Sequence, residues 1–218
     1  MYLSGKAVAD PRIGVMLSYN AGKQRVSGHK CWAADNGCFS QPKKYTDDGF
    51  LSWLDKIDRT GCLFAVAPDV VADAAATLDR AAPMLPKIKH LGFAAALVGQ
   101  DGATPDSLPW PDFDALFIGG STRWKLSGAA ADLIFEAKRR GKHCHMGRVN
   151  SWQRIHFAAV LGCHSVDGTF IAYGPDKNTA IVVDWLDRLN RQQSLFSGMW
   201  GGWGEEEDDE EHGIEDEE

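Results

Sequence analysis

The chain has 218 residues, 44% of them apolar and 24% charged, which suits one soluble domain with a sizeable core and excludes a disordered chain. Its formal net charge of -7 misleads, because residues 205–218 hold 11 of the 30 acids and no Lys or Arg; the rest carries 19 acids against 23 bases, a net +4, which permits a polyanionic partner without requiring one. No apolar run approaches the ~20 residues that span a bilayer, no basic-then-apolar signal opens the chain, and Cys31, Cys38, Cys62, Cys144 and Cys163 form no CxxC pair, so a cytoplasmic protein without membrane contact, disulfides or structural zinc is expected.

Short apolar runs alternate with helical patterns, the signature of βα units around a parallel sheet. Strands are predicted at residues 2–3, 13–17 and 31–34. A helix follows, capped by Thr46, with Asp47 and Asp48 in its first turn and Phe50, Leu54 and Ile57 on one face. Further strands are predicted at 63–67, 93–98 and 115–118. Ser127 then precedes a stripe of Ala130, Leu133, Ile134 and Ala137 that ends in Lys138, Arg139 and Arg140 before Gly141, a stop signal. Strands at 143–145 and 164–166 flank a helix opened by Ser151, and residues 176–192 form the last helix, with Ile181, Trp185 and Leu189 inward. Eight strands imply a (β/α)8 TIM-type barrel. It should be compact and irregular, because the first two strands lie too close for a crossover helix and about 190 residues is short against the ~250 of this fold. Residues 1–196 are assigned to the barrel. Residues 197–218, a Gly-Trp stretch and then the acidic run, lack periodicity and are assigned to a disordered tail.

A polar or glycine cluster closes most of the predicted strands, at the end where such barrels build active sites. Asp35-Asn36-Gly37, Pro68-Asp69, Gln100-Asp101-Gly102, Gly119-Gly120-Ser121-Thr122, Met146-Gly147-Arg148 and Asp167-Gly168-Thr169 would share one mouth. Arg123, Lys125 and Arg148 stand on its loops, placed for backbone phosphates or simply solvated. His143 and His145 alternate and so share a face, the geometry of a metal pair; no carboxylate at ligand spacing accompanies them, and neither metal nor cofactor is assigned.

The same clusters resemble, in order, the motifs of the tRNA-guanine transglycosylases and their relatives that insert 7-deazaguanines into DNA. Ala34-Asp35-Asn36-Gly37-Cys38-Phe39 resembles the family's Asp-Ser-Gly-Gly-aromatic-Gln motif, and Ala67-Pro68-Asp69 stands where the family places an aspartate that reads guanine. Val98-Gly99-Gln100 is similar to its Val-Gln-Gly stretch, Gly119-Gly120 to the double-glycine loop lining the base pocket, and His145-Met146-Gly147 to a Leu-Met-Gly segment whose methionine packs on the base. Gly162-Cys163-His164-Ser165-Val166-Asp167 is similar to the segment ending in the nucleophile. The family's three-cysteine, one-histidine zinc site is missing, since no cysteine follows Cys163, and so is its Pro-Thr-Arg sequence. The resemblance is therefore to the small, zinc-less phage-type branch, and it implies DNA in preference to tRNA as the polymer.

Exchange of a base with retention needs two displacements at the sugar carbon, hence a carboxylate nucleophile and a second group that moves protons. Asp167 is expected as nucleophile and Asp35 as general acid and base. Asp69 is a bidentate acceptor for guanine N1–H and N2–H₂, or else a cap for a helix starting near residues 70–72. Gln100 and the Gly120 backbone would address O6, and Phe39 and Met146 would sandwich the ring or serve as packing. The implied partners are a nucleic acid and a free 7-deazaguanine base; the sequence leaves monomer against homodimer open. A metal-dependent hydrolase built on His143 and His145, and a catalytically silent binder, are the competing readings.

Overall fold

The structure, a computed structural model, describes residues 10–19, 30–40 and 42–200, the last of them, 193–200, as backbone. Seven strands form one sheet in chain order: β1 (Val15–Ser18), β2 (Trp32–Asp35), β3 (Cys62–Val66), β4 (Ala95–Gly99), β5 (Ala115–Ile118), β6 (His143–Met146) and β7 (Ser165–Val166). Every neighbouring pair is parallel, so the chain must return outside the sheet between strands. The helices are α1 (Asp47–Lys56), α2 (Ala74–Ala81), α3 (Leu85–His90), α4 (Thr122–Lys125), α5 (Gly128–Arg139), α6 (Trp152–Leu161) and α7 (Pro175–Trp200). None of the described helices is long and apolar enough to cross a membrane.

Strand alternation sorts the side chains onto two faces. Leu17, Ala34, Ala65, Leu97, Leu116 and Cys144 join Phe50 and Leu54 of α1, Ile88 of α3 and Leu133 and Ile134 of α5 in the larger core. Their strand neighbours Ala33, Phe64, Val66, Ala96, Val98 and Ala115, with Met16 and Phe117 against them, form a smaller core on the opposite face. That face is concave. Phe64 of β3 meets His143 and His145 of β6 at ring-centroid distances of 5.5 and 5.1 Å, whereas three strand spacings in a flat sheet would separate them by ~14 Å. The sheet is therefore a half-barrel. α7 follows it past the last strand: Trp185 stacks on Phe170 after β7, and Asp187 pairs with Arg12 just before β1.

Seven of the eight expected strands appear within two residues of their predicted bounds; the first, at residues 2–3, lies outside the described residues. Local signals explain the helices. Thr46 caps α1 by accepting from the Gly49 N–H, Ser151 caps α6 through Arg154 N–H, and Gly162 ends α6 at φ +80°. Ser127 precedes α5 without capping it, its hydroxyl donating instead to the Trp124 carbonyl at 2.6 Å. The last helix runs past its expected end at residue 192 to Trp200, through Gly198, so residues 197–200 belong to it. Residues 201–218 of the expected tail lie outside the described residues.

Candidate active site

Asp35 is the last residue of β2, two positions beyond the inward Ala33, and Asp167 follows β7, two beyond Ser165. Their strands are five places apart in the sheet, yet curling brings the carboxylates within electrostatic reach. Asp35 is held above the usual carboxylate range first by desolvation in the mouth and further by the charges of Asp167 and Asp69. Hydrogen bonds from Ser18 Oγ, at 2.8 Å, and from the Gly37 backbone oppose the shift. Ser18 stands opposite Asp35 in the β1–β2 register.

Asp69, at the end of β3, sits in a web of its own. Gln100 Nε2 donates to Asp69 Oδ2 at 2.6 Å, and Cys38 Sγ and Asn36 Nδ2 approach Oδ1 at 3.3 and 3.5 Å. Gln100 is 2% exposed, and its Oε1 accepts from Ala72 N–H at 2.9 Å and Gly120 N–H at 2.8 Å. The capping alternative for Asp69 is not the one the chain uses, since α2 starts at Ala74 and is capped by Asp73. Of the groups expected to address O6, the Gly120 N–H is taken up by the Gln100 oxygen and the Gly119 N–H donates to Gly99 O at 2.9 Å, while the Gln100 amide nitrogen faces Asp69. The double glycine is needed for that close approach, because a Cβ on Gly120, at φ +67°, would lie 2.5 Å from the Trp124 ring and 2.8 Å from Asp101 Oδ2.

Asp167 is anchored from below. His145 Nε2 lies 3.0 Å from Asp167 Oδ1, and Ser165 Oγ lies 2.8 Å from His145 Nδ1 and 2.7 Å from His143 Nε2. His145 and Ser165 are register partners across β6 and β7. The His145 ring is packed between Phe64 and Phe117, with centroids 5.1 and 4.6 Å away. Burial, with His164 and His145 nearby, pulls His143 down to about 4, so it is neutral at physiological pH. Gly147 leaves room for the arrangement: a Cβ there would sit 2.6 Å from Phe117 and 3.3 Å from Asp167 Oδ1.

Two expected contacts are corrected by burial. Met146 has opposite parity to His143 and His145, is fully buried and belongs to the helix-facing core, so it cannot stack on a base in the mouth. Lys125 is 3% exposed, its ammonium donating to the Gly147 carbonyl, and burial followed by the Arg148 charge lowers it to about 8; it faces the Asp167 side of the site rather than a phosphate outside. Arg123 and Arg148 are exposed, the Arg148 guanidinium donating to the Gly120 carbonyl. Phe39 is 69% exposed on the rim, free of the core.

Ser18, Asn36, Cys38 and Ser165 escaped the sequence reading as site residues, although strand alternation held a signal for two of them: Ser18 is two residues beyond inward Met16, and Ser165 two before Asp167. The two histidines proposed as a metal pair converge on Ser165 Oγ, and among the described residues no three His, Cys, Asp or Glu side chains are grouped for a metal ion. No protein-family model and no curated protein matches the chain.

Proposed function

We propose that this chain is a base-exchange glycosyltransferase that replaces guanine in a nucleic acid, DNA in preference to tRNA, with a free 7-deazaguanine base. The observation that carries the reading is the pairing of Asp35 and Asp167 from opposite ends of the sheet, one with raised proton affinity and one hydrogen-bonded by His145. Asp167 attacks the sugar carbon, and the glycosidic electron pair leaves with guanine, which Asp35 protonates. The incoming base then loses a proton to Asp35, displaces Asp167 and restores the original configuration. Asp69, oriented by Gln100, offers its carboxylate edge to the guanine N1–H and N2–H₂ donors. Phe39 on the rim supplies a stacking face, and Arg123 and Arg148 reach the flanking phosphates.

The scaffold of this reading is a (β/α)8 barrel. An apolar cavity of about 120 Å³ lined by Ile13, Gly14, Val166 and the α7 residues Val182, Trp185 and Leu186 supports this reading, since in it an eighth strand joins β7 to β1. Incubating the purified protein with labelled guanine or a 7-deazaguanine and either DNA or tRNA tests the activity. Label should enter DNA, a covalent protein–polynucleotide adduct should be trapped, and Asp167→Asn should abolish both with the fold intact. Equal exchange by the variant would refute the nucleophile.

A further inference from the structure

We propose that His143, Ser165 and His145 form a one-way hydrogen-bond chain that fixes Asp167 by its Oδ1 and leaves Oδ2 to attack, with His145 as a positioning residue. The inference rests on reading Asp167 as the nucleophile, and proton counting gives its direction. An ionised carboxylate only accepts, so His145 Nε2, 3.0 Å from Asp167 Oδ1, carries the ring proton. We take the ring to hold that one proton, which leaves Nδ1 as an acceptor. Ser165 has one hydroxyl proton, which must go to His145 Nδ1 at 2.8 Å, so the same oxygen accepts from His143 Nε2 at 2.7 Å. Reversing the chain would require an imidazolium at His145.

The surroundings hold the ring in this orientation. His145 is 3% exposed and wedged between Phe64 of β3 and Phe117 of β5, so its ring cannot swing away. The groups facing the pair of His145 and Asp167 are His143 on β6, Ser165 on β7, and, within electrostatic reach of Asp167, Asp35 of β2 and Lys125 of α4.

The consequence falls unequally on the two half-reactions. In the first, Oδ2 gives its pair to C1′, the C1′–N bond pair leaves with the base, and Oδ1 becomes the carbonyl oxygen of a neutral ester. In the second, the incoming base forms the new C1′–N bond, the C1′–Oδ2 pair returns to Asp167, and the negative charge reappears beside His145. A hydrogen bond to an ionised acceptor is roughly twice as strong as one to a neutral acceptor. His145 therefore helps the carboxylate to leave more than it helps it to attack.

The test combines kinetics with ¹⁵N spectra of the histidine rings in the intact chain. His145→Leu should lower kcat about 10- to 100-fold, leave KM within about 3-fold, and make the covalent adduct accumulate. His145→Gln, which returns an N–H, should recover to within about 5-fold of wild type. Both rings should carry their proton on Nε2 in the wild type, and His145 should lose that single tautomer in Ser165→Ala. Equal kcat and adduct levels in the Leu and Gln variants, or a proton on His145 Nδ1 in the wild type, would overturn the proposal. A wild type inactive on every polynucleotide would instead refute base exchange; the spectra of wild type and Ser165→Ala then decide the chain, an unchanged tautomer in the variant overturning it.

Discussion

Asp35 and Asp167 are chemically identical side chains given opposite neighbours. Asp35 faces two other carboxylates with Ser18 and a backbone N–H in support, while Asp167 lies 3.0 Å from a histidine nitrogen. A carboxyl whose proton affinity rises on folding destabilises the native state once it ionises. The associated stability is therefore present below the ordinary value of 3.8 and is lost as pH rises through the higher folded value. Asp35→Asn, which keeps an acceptor for Ser18, should melt above wild type at pH 8, with the gap closing as pH falls towards 3.8; a gap independent of pH would contradict the assignment. Lys125 runs the other way, because burial favours its neutral form. Wild type should gain stability over Lys125→Met between pH 8 and pH 10.5, the span from its folded to its ordinary value, in denaturant titrations at stepped pH. The carboxylates were legible from their positions at strand ends, whereas the burial of Lys125 was not, since a cation in a four-residue helix reads as a solvated charge until the fold covers it.

Strands of four or five residues carry only two inward positions each, and those positions decide the chemistry. Ala33 and Asp35, Met16 and Ser18, His143 and His145, and Ser165 and Asp167 all obey the same period of two. The period was legible for His143 and His145, and applying it one residue further removes Met146 from the mouth, where resemblance to a Leu-Met-Gly segment had placed it. What alternation could not supply is the partner: whether two inward histidines seek a metal or a serine depends on β7, whose Ser165 is their neighbour only through parallel pairing. Helix signals were more local and fared accordingly. The Thr46 hydroxyl accepts from Gly49 N–H at 3.1 Å, so Thr46→Ala should lower unfolding free energy by about 1 kcal/mol in urea titrations, through the midpoint rather than the slope. The serine-before-helix signal at Ser127 also placed the start of α5, although there the hydroxyl donates to a carbonyl in the preceding turn and does not cap the helix.

At the scale of the molecule, seven strands in chain order and a chain of βα units were readable from hydrophobic periodicity, because each unit is encoded within about thirty residues. Curvature was not, since it is a property of the whole sheet: the ring contacts between β3 and β6 across the concave face reveal it. Curvature gathers the strand ends into one mouth, and the electrostatics of that mouth then involve the entire chain. The acidic run at 205–218 turns a net +4 into -7, enough to oppose a polyanion approaching exposed Arg123 and Arg148. On the proposed base exchange, a chain ending at Gly204 should therefore show a lower KM for DNA than the full chain at low ionic strength, with kcat unchanged because the carboxylates are untouched. Screening shortens the reach of this repulsion from about 30 Å at 0.01 M salt to about 3 Å at 1 M, so the two KM values should converge as salt rises. A difference that persists at high salt would mean that the run acts through a specific contact; no difference at low salt would mean that its charge does not reach the mouth.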